Sequence, residues 1–408
     1  MLFDEFAVRT ETMPIKKEER IMRLMKCLTL SVVVASIAGF VFLSVQSSTA
    51  AEAKPINIGV TEDFSGVSAP EGTSEFPAFE MAVKEINAAG GINGRPIKLF
   101  VVDNGGDPTK TVGTLKMHKE LNKCVAIFYG YNSAGAVAAK AWAEQNKVPV
   151  IASGPLSDKL IQKEGKAWLF RAFTTNHEQT IAMLKRAKEM GLKKVGYMAT
   201  TQAFGTDMLD DIKNIYSEYG IDFVGYVLCE PGSKDLTIQA MKLRDEGAEA
   251  VICQNYVADQ IVWARNLKTI GWKPLSITGS ILLANSLEVS APELWEDWQG
   301  MSVIDISKPI IKTIWDDYAN YTKKRHDDDK APRAWDAARI LAEAIRLSGN
   351  PDSPEAIRDA FYKIKNFSIA IGRKDTMASF EIGRNYILAA KDISFVTVKS
   401  GKFVAQSK

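Results

Sequence analysis

The feature that most constrains the fold of this 408-residue chain is a regular alternation of short apolar runs and amphipathic stretches, which starts near residue 54. Each apolar run has the length and β-former content of a buried strand. In the first half these runs span residues 56–61, 97–102, 125–129 and 148–152. Between the first two, Phe76, Phe79 and Val83 recur at helical spacing. Repeated β-α units with short connections predict a parallel sheet with helices on both faces.

The same alternation starts again after Arg171, so the sequence predicts a second sheet of similar size. Its expected strands span residues 195–199, 223–228, 250–253 and 275–278. Past Gly300 the order changes to three helices, at residues 310–324, 335–348 and 354–364. Short strands are expected at residues 301–306, 367–371, 386–389 and 395–398. The late helices are expected to pack back on the first half.

The predicted architecture is therefore α/β, with two doubly wound parallel-sheet lobes joined by a hinge of three chain crossings. Lobe 1 is expected to comprise residues 54–172 plus 305–384, and lobe 2 residues 173–304 plus 385–408. The crossings are expected near residues 170–174, 301–307 and 382–389. A hinge between two α/β lobes encloses a cleft, and ligands of parallel sheets bind at the carboxyl ends of the strands.

One stretch of this cleft, residues 125–135, favours binding of an anion. An apolar strand ends in Gly130, Tyr131, Asn132 and Ser133, and a helix of small residues follows. The N-terminus of a helix is partly positive and has free backbone N–H groups, so this turn is suited to a carboxylate. The alternative is that Asn132 and Ser133 only cap the helix.

The N-terminus predicts export. Basic residues between Lys16 and Lys26 precede an almost uncharged run at residues 27–45, and Ala51-Glu52-Ala53 offers a cleavage site. We expect residues 1–53 to be a signal peptide cleaved near Ala51–Ala53 and the mature protein to be periplasmic. The alternative is an uncleaved membrane anchor at residues 28–45. A net charge of +2 gives no indication of a nucleic-acid partner, and a monomer is expected.

The mature part holds three cysteines, and no disulfide is predicted between them. Cys229 and Cys253 end two successive strands, which a doubly wound sheet would separate by another strand. Together with Cys124 they are expected to be small buried apolar residues.

The sequence does not support a catalytic function. The histidines are His118, His177 and His326, and only His177 is expected near the cleft. The turn at Ser133 differs from a nucleophile elbow in its glycine spacing and has no histidine placed as a base. No nucleotide-binding glycine motif follows a strand, so no cofactor is expected. The acids at residues 327–329 are interpreted as a solvated loop and not as a metal site.

The first half carries a recognisable family pattern. Gly90-Gly91-Ile92-Asn93-Gly94 and the residues at 103–109 resemble the leucine/isoleucine/valine-binding family of periplasmic solute receptors. Residues 61–66 and 148–151 resemble the first strand-loop and fourth strand of that family, and Phe204-Gly205 resembles its Tyr-Gly. The resemblance implies a type I periplasmic binding protein that is not an enzyme and delivers a small solute to the permease subunits of an ABC importer.

The resemblance also implies the site. The family holds a ligand carboxylate at positions that match Asn132-Ser133 and Ser153-Gly154, and its aromatic residues match Phe204 and Tyr256 or its neighbour Asn255. A family threonine falls on Leu156, or on Ser157 if the turn is one residue longer. The expected ligand-binding residues are Tyr131, Asn132, Ser133, Ser153, Gly154, Ser157, Phe204, Asn255, Tyr256 and Ser280.

The sequence departs from the family where a ligand ammonium group is bound. No acid lies near Ser280-Ile281, and Glu62, Asp63 or Glu71 are the candidates to substitute, although acids in loops are usually exposed. A buried ammonium without a counter-charge is costly. The hypothesis at this stage is a carboxylate without an α-amino group, such as an aromatic or branched-chain acid, with an amino acid as the alternative ligand. The alternative functions are a ligand sensor of the same fold and, less favoured, an exported hydrolase.

Overall fold

The computed structural model describes Met22 and residues 53–66, 68–279 and 290–405. The described residues from Lys54 onward belong to one compact unit. The expected signal peptide lies almost entirely outside the described residues. None of the helices described is both long and apolar enough to cross a membrane.

The first sheet has five strands in the order β2-β1-β3-β4-β5, and all its neighbouring pairs are parallel. Its strands are β1 Ile56–Glu62, β2 Ile97–Asp103, β3 Ala126–Tyr129, β4 Val150–Ala152 and β5 Leu169–Arg171. Every residue of β3 and β4 is buried, as expected for strands covered on both faces. The helices that follow β1, β2 and β3 are α1 Ala69–Ala88, α2 Pro108–Glu120 and α3 Ser133–Asn146.

Packing between α1 and this sheet is aromatic. Phe79 of α1 stacks on Phe128 of β3 with ring centroids 4.0 Å apart, and both side chains are fully buried. The turn after α1 needs left-handed backbone at four positions, Gly90, Gly91, Asn93 and Gly94, which have φ values of 100°, 71°, 52° and 79°. Three of the four are glycine because only glycine adopts this conformation without a steric cost.

The second sheet has seven strands in the order β14-β13-β10-β9-β8-β6-β7. Its strands are β6 Lys194–Thr200, β7 Asp222–Cys229, β8 Ala250–Gln254, β9 Leu275–Gly279, β10 Gln299–Ser302, β13 Ser394–Lys399 and β14 Lys402–Ala405. Strands β6 to β10 are parallel, and β13 and β14 add an antiparallel edge. The helices between them are α4 Asn176–Glu189, α5 Ala203–Ile215, α6 Thr237–Asp245 and α7 Val257–Thr269.

Helices from the last third of the chain pack against the first sheet's helices, as expected. They are α8 Pro309–Thr322, α9 Lys330–Ser348 and α10 Pro354–Phe361. Helix α9 runs along α1, and the α10 residue Phe361 stacks on Phe170 of β5 at 4.0 Å between centroids. The predicted α/β class with two mainly parallel sheets is therefore confirmed. The residue bounds given for the two lobes remain a prediction.

Several strand predictions near the crossings were wrong. Residues 386–389 form no strand, because there the chain makes only an isolated bridge between Tyr386 and Arg171 and backbone hydrogen bonds to Phe173. Strand β5 was not predicted, and the edge strand β14 was missed. The strand expected at residues 367–371 shrinks to β11 Phe367–Ser368, which pairs with β12 Met377–Ala378.

The arrangement of the cysteines matches the sequence argument. Strands β7 and β8, which carry Cys229 and Cys253, both pair with β6 and lie on opposite sides of it. Cys124, Cys229 and Cys253 are buried free thiols. Burial raises the pKa of Cys124 and of Cys229 to about 12, so neither is a reactive thiolate.

Candidate ligand-binding cavity

A cavity opens where the carboxyl ends of strands from both sheets face each other. Its empty volume is about 970 Å³, including solvent at the mouth. The carboxyl ends of β3 and β4 reach it from the first sheet, and those of β6, β8 and β9 from the second. The lining residues are Ser68, Glu71, Tyr131, Asn132, Ser133, Gly154, Leu156, Phe173, Gln179, Phe204, Gln254, Asn255, Tyr256, Val257, Gly279, Met301, Val303, Asp329 and Arg333.

Aromatic rings form much of the apolar wall. Phe204, at the start of α5, and Tyr256, just before α7, meet edge to face with centroids 5.3 Å apart. On the opposite side Tyr131 lies against the backbone of Gly154. A Cβ atom at Gly154 would stand 2.6 Å from a ring carbon of Tyr131, so only glycine permits this approach.

The N-terminus of α3 is capped by its own sequence. The Asn132 side-chain oxygen accepts hydrogen bonds from the N–H groups of Ala134 and Gly135, at 2.9 and 3.0 Å. The Ser133 hydroxyl accepts from the N–H groups of Leu156 and Ser157, at 3.1 and 3.4 Å. These four backbone donors thus already have partners within the protein, and two of them lie at the helix N-terminus that the sequence offered to a ligand carboxylate.

A buried arginine lies at the first-sheet side of the cavity. Arg333 of α9 is 1% exposed, and its Nε and Nη2 atoms each donate to a carboxylate oxygen of Glu75 at 3.2 Å. The guanidinium carbon lies 5.2 Å from the centroid of the Tyr131 ring and 5.0 Å from that of Phe173. Burial opposes the charge of Arg333, but Glu75 and Asp329 outweigh burial and raise its pKa.

Two carboxylates also line the cavity. Asp329 is 2% exposed, and its Oδ1 atom is 3.8 Å from Nη1 of Arg333, too far for a hydrogen bond. Burial raises the pKa of Asp329 to about 6, with Arg333 acting in the opposite direction. Burial also raises the pKa of Glu71, and the positive charge of Lys330 opposes this rise. The Nζ atom of Lys330 is itself paired with Asp328 at 2.9 Å.

Most residues expected from the sequence lie at this cavity, although their contact with a ligand remains a prediction. Ser153 and Ser157 do not line the cavity and are fully buried. The Ser157 hydroxyl instead donates to Asp207 of α5. Ser280 lies outside the described residues. The seven that line the cavity are Tyr131, Asn132, Ser133, Gly154, Phe204, Asn255 and Tyr256.

Two sequence interpretations of acidic residues were wrong. The acids at residues 327–329 were taken as a solvated loop, but Asp328 and Asp329 are 7% and 2% exposed, because the chain turns inward there to begin α9. Glu62, the last residue of β1, and Asp63 are fully buried, and Glu71, in the first turn of α1, lines the cavity.

Sequence reasoning missed the residues that reach the cavity from helices and from β10, among them Gln179, Met301 and Arg333. Arg333 had one usable signal. It stands between Ala331-Pro332 and Ala334-Trp335, and a charged residue with small and apolar neighbours on both sides indicates a buried, paired charge.

The hydrolase alternative gains no support from the geometry. The hydroxyl of Ser133 accepts a hydrogen bond from a backbone N–H group. Among the residues described, the cavity lining contains no histidine. His118 contacts the carbonyl oxygen of Val60 at 3.2 Å, and His177 pairs with Asp211 at 2.8 Å.

Comparison with known proteins identifies the family. The family model described as "Periplasmic binding protein" matches residues 55–402. A Leu/Ile/Val-binding protein homolog 8 from Brucella suis is 28% identical over 250 residues, which are 59% of this chain and 61% of that protein. The alignment thus spans less than two thirds of that relative. A homolog 3 from Brucella melitensis is 26% identical over 78% of this chain and 86% of its own length.

Solved structures share the fold. A type 1 periplasmic binding protein from Bordetella pertussis has a TM-score of 0.75 at 22% identity over 86% of this chain and all of its own. A branched-chain amino acid transporter substrate-binding protein from Streptococcus pneumoniae, solved with isoleucine, has a TM-score of 0.72 at 20% identity, covering 86% and 98%. A Rhodopseudomonas palustris solute-binding protein, solved with benzoate, has a TM-score of 0.73 at 16% identity, covering 86% and 95%.

The match along residues 55–402, the two facing sheets and the cavity between their strand ends lead to one conclusion about family. The chain belongs to the type I periplasmic binding proteins, among the relatives of the Leu/Ile/Val-binding proteins, and is a solute-binding protein and not an enzyme.

Proposed function

We propose that this protein is the extracytoplasmic substrate-binding protein of an ABC importer of the branched-chain amino acid type. It would enclose a small organic solute between its two sheets and present the closed form to the permease subunits of the importer. The observation that carries the proposal is the cavity itself, which residues from the strand ends of both sheets line together, in a chain of this family. A monomer in the periplasm, released by cleavage near Ala51–Ala53, is part of the proposal.

The cavity suits a ligand of amino-acid size with an apolar part. Its wall combines rings and aliphatic side chains with a few polar groups, which is the usual composition of small-molecule sites. Phe204 and Tyr256 would contact the apolar part of the ligand. A carboxylate-bearing solute, either an amino acid or an aromatic or branched-chain acid, remains the ligand class that the family resemblance favours.

A thermal-shift screen tests the proposal. The mature protein, unfolded and refolded to remove any bound solute, is screened with amino acids, amines, amides and carboxylic acids. A ligand present at about 100 times its dissociation constant stabilises a protein by roughly 2.7 kcal/mol. We expect such a shift with at least one solute and its loss in the variant Tyr256→Ala.

The control is Tyr226→Ala, which removes a ring that is 39% exposed on β7, outside the cavity. That variant should keep the full ligand-induced shift. If no solute of any class stabilises the protein, or if Tyr226→Ala abolishes the shift as fully as Tyr256→Ala, binding in this cavity is refuted.

A further inference from the structure

Hydrogen-bond acceptors without partners face the cavity. Oδ1 of Asp329 and Oδ1 of Asn255 are both buried and have no hydrogen-bond partner among the residues described. The carboxylate of Glu71 forms no ion pair within the same part of the chain. Buried acceptors left unpaired are costly, so a ligand that donates hydrogen bonds would find three partners already in place.

The positive groups near these acceptors are already neutralised. Arg333 is held by both carboxylate oxygens of Glu75, and Lys330 is held by Asp328. Among the lining residues described, two carboxylates, Asp329 and Glu71, stand against one cation, Arg333, which Glu75 already binds. A ligand carboxylate would face this excess in a site of low dielectric, where repulsion between like charges is strong.

The backbone donors that favoured an anion from the sequence are also occupied. Asn132 and Ser133 together take four N–H groups at the start of α3 and in the loop after β4. These four N–H groups are therefore not free for a ligand carboxylate, which would have to use other donors, such as the O–H of Ser133.

We propose that the solute recognised here is a small organic cation, whose protonated amine or guanidinium group is bound by Glu71 and Asp329 while its apolar body contacts Phe204 and Tyr256. Aromatic faces also attract cations, which adds to the carboxylates. This inference rests on the proposed function and selects against the bare carboxylic acids favoured by the sequence. It makes the nitrogen end of the ligand, and not a carboxylate end, the group that the cavity requires.

Three matched probes test the inference by calorimetry at pH 7 on the ligand-free protein. They are 2-phenylethylamine, 3-phenylpropanoate and L-phenylalanine, which share one ring and chain but carry the amine, the carboxylate or both. A parallel series uses 3-methylbutylamine, 4-methylpentanoate and L-leucine. We expect the amine of at least one series to bind about tenfold or more tightly than its acid. A factor of about ten in affinity corresponds to one hydrogen bond between charged groups.

Glu71→Gln is the variant that tests the role of the carboxylate. It keeps the shape of the side chain, and we expect it to weaken binding of the amine by about tenfold or more. Binding of the matched acid should stay the same or improve, because a repelling charge is gone. The control Glu80→Gln removes a carboxylate from the same helix, outside the cavity lining, and should change neither affinity.

An acid that binds as tightly as its amine, an amino acid that binds while the amine does not, or no binding in either series would each overturn the inference. The first two results leave the proposed function intact, since a solute still binds. The proposed function fails separately, only if the broad thermal-shift screen also finds no ligand.

Discussion

At the scale of single residues, the buried pair of Arg333 and Glu75 decides the character of the cavity. Both side chains are nearly inaccessible to solvent, at 1% and 0% exposed. Removing one member of a buried ion pair leaves the other uncompensated, whereas removing both is often tolerated. The guanidinium lies 5.2 Å from the ring centroid of Tyr131 and 5.0 Å from that of Phe173, and Arg333 is not free for a ligand carboxylate because Glu75 binds it.

The first prediction concerns the stability of this pair. Arg333→Met should lower the free energy of unfolding by about 3–5 kcal/mol, because Glu75 is left buried and unpaired. The double variant Glu75→Leu with Arg333→Met should be clearly more stable than Arg333→Met alone. Urea unfolding followed by circular dichroism measures both.

Arg346→Met is the control for this pair, because Arg346 lies on the same helix and pairs with Glu343 but is 54% exposed. It should cost about 1 kcal/mol or less, as exposed pairs do. A cost of similar size for Arg333→Met would show that the buried pair does not hold this wall of the cavity.

The second prediction concerns pH. The pKa of Asp329 is raised to about 6 by burial, and the charged groups around it are Arg333, Asp328, Lys330 and Glu75. A cationic ligand binds the ionised carboxylate, so its affinity should be constant above pH 7 and fall by about tenfold per pH unit below pH 6. Calorimetry with 2-phenylethylamine, which stays protonated over this range, measures the profile.

In the variant Asp329→Asn the affinity at pH 7 should already be low and its dependence between pH 7 and 5 should flatten. Glu71, whose pKa is also raised, accounts for any dependence that remains. An affinity that rises as the pH falls from 7 to 5 in the unmodified protein would contradict binding of a cation by Asp329.

At the scale of elements, helix α3 begins at a turn for which the sequence offered two interpretations, anion binding and capping. Asn132 adopts extended backbone and caps its own helix, so capping is confirmed, and anion binding at this turn stays a prediction. The third prediction follows. Asn132→Ala should lower the free energy of unfolding by about 0.5–2 kcal/mol, and Asn132→Asp should stay within about 0.5 kcal/mol, because both Asn and Asp cap well.

Asp107→Ala, which removes the side-chain cap of α2, is the matched comparison and should cost a similar amount. If Asn132→Ala leaves the stability in urea unchanged while Asp107→Ala lowers it, the prediction that the side chain of Asn132 stabilises the helix as a cap is wrong.

Elements were more predictable than the composition of the site, for a physical reason. Strands such as β1 and β3 are contiguous apolar runs, so the residues that indicate them are neighbours in the sequence. From the predicted strand ends, the loops at Tyr131, Gly154, Phe204 and Tyr256 were correctly expected to line the cavity. Arg333 was not predicted as a cavity residue because its helix, α9, follows the second sheet in the chain but packs on the first-sheet side. Only packing of α9 along α1 brings it within reach of Glu75.

At the scale of the whole molecule, side chains link a loop of the first sheet to a helix of the second. The loop after β4 belongs to the first sheet, and α5 follows β6 of the second. Between them the hydroxyl of Ser157 donates to Asp207, and Nζ of Lys159 lies 3.4 Å from the same carboxylate. These contacts exist only when the sheets are close, so they stabilise a closed arrangement.

The last prediction follows from these ties. Asp207→Asn removes the charge that pairs with Lys159 and weakens the contact with Ser157, but it leaves the cavity lining unchanged. Closure and binding are coupled, so losing about 1 kcal/mol of closed-state stability should weaken the apparent affinity for any ligand by up to about fivefold. Small-angle scattering of the ligand-free variant should show a larger radius of gyration. Asp210→Asn, on the exposed face of the same helix, should change neither quantity. If Asp207→Asn instead altered selectivity between the amine and the acid, its carboxylate would act on the ligand and not on closure.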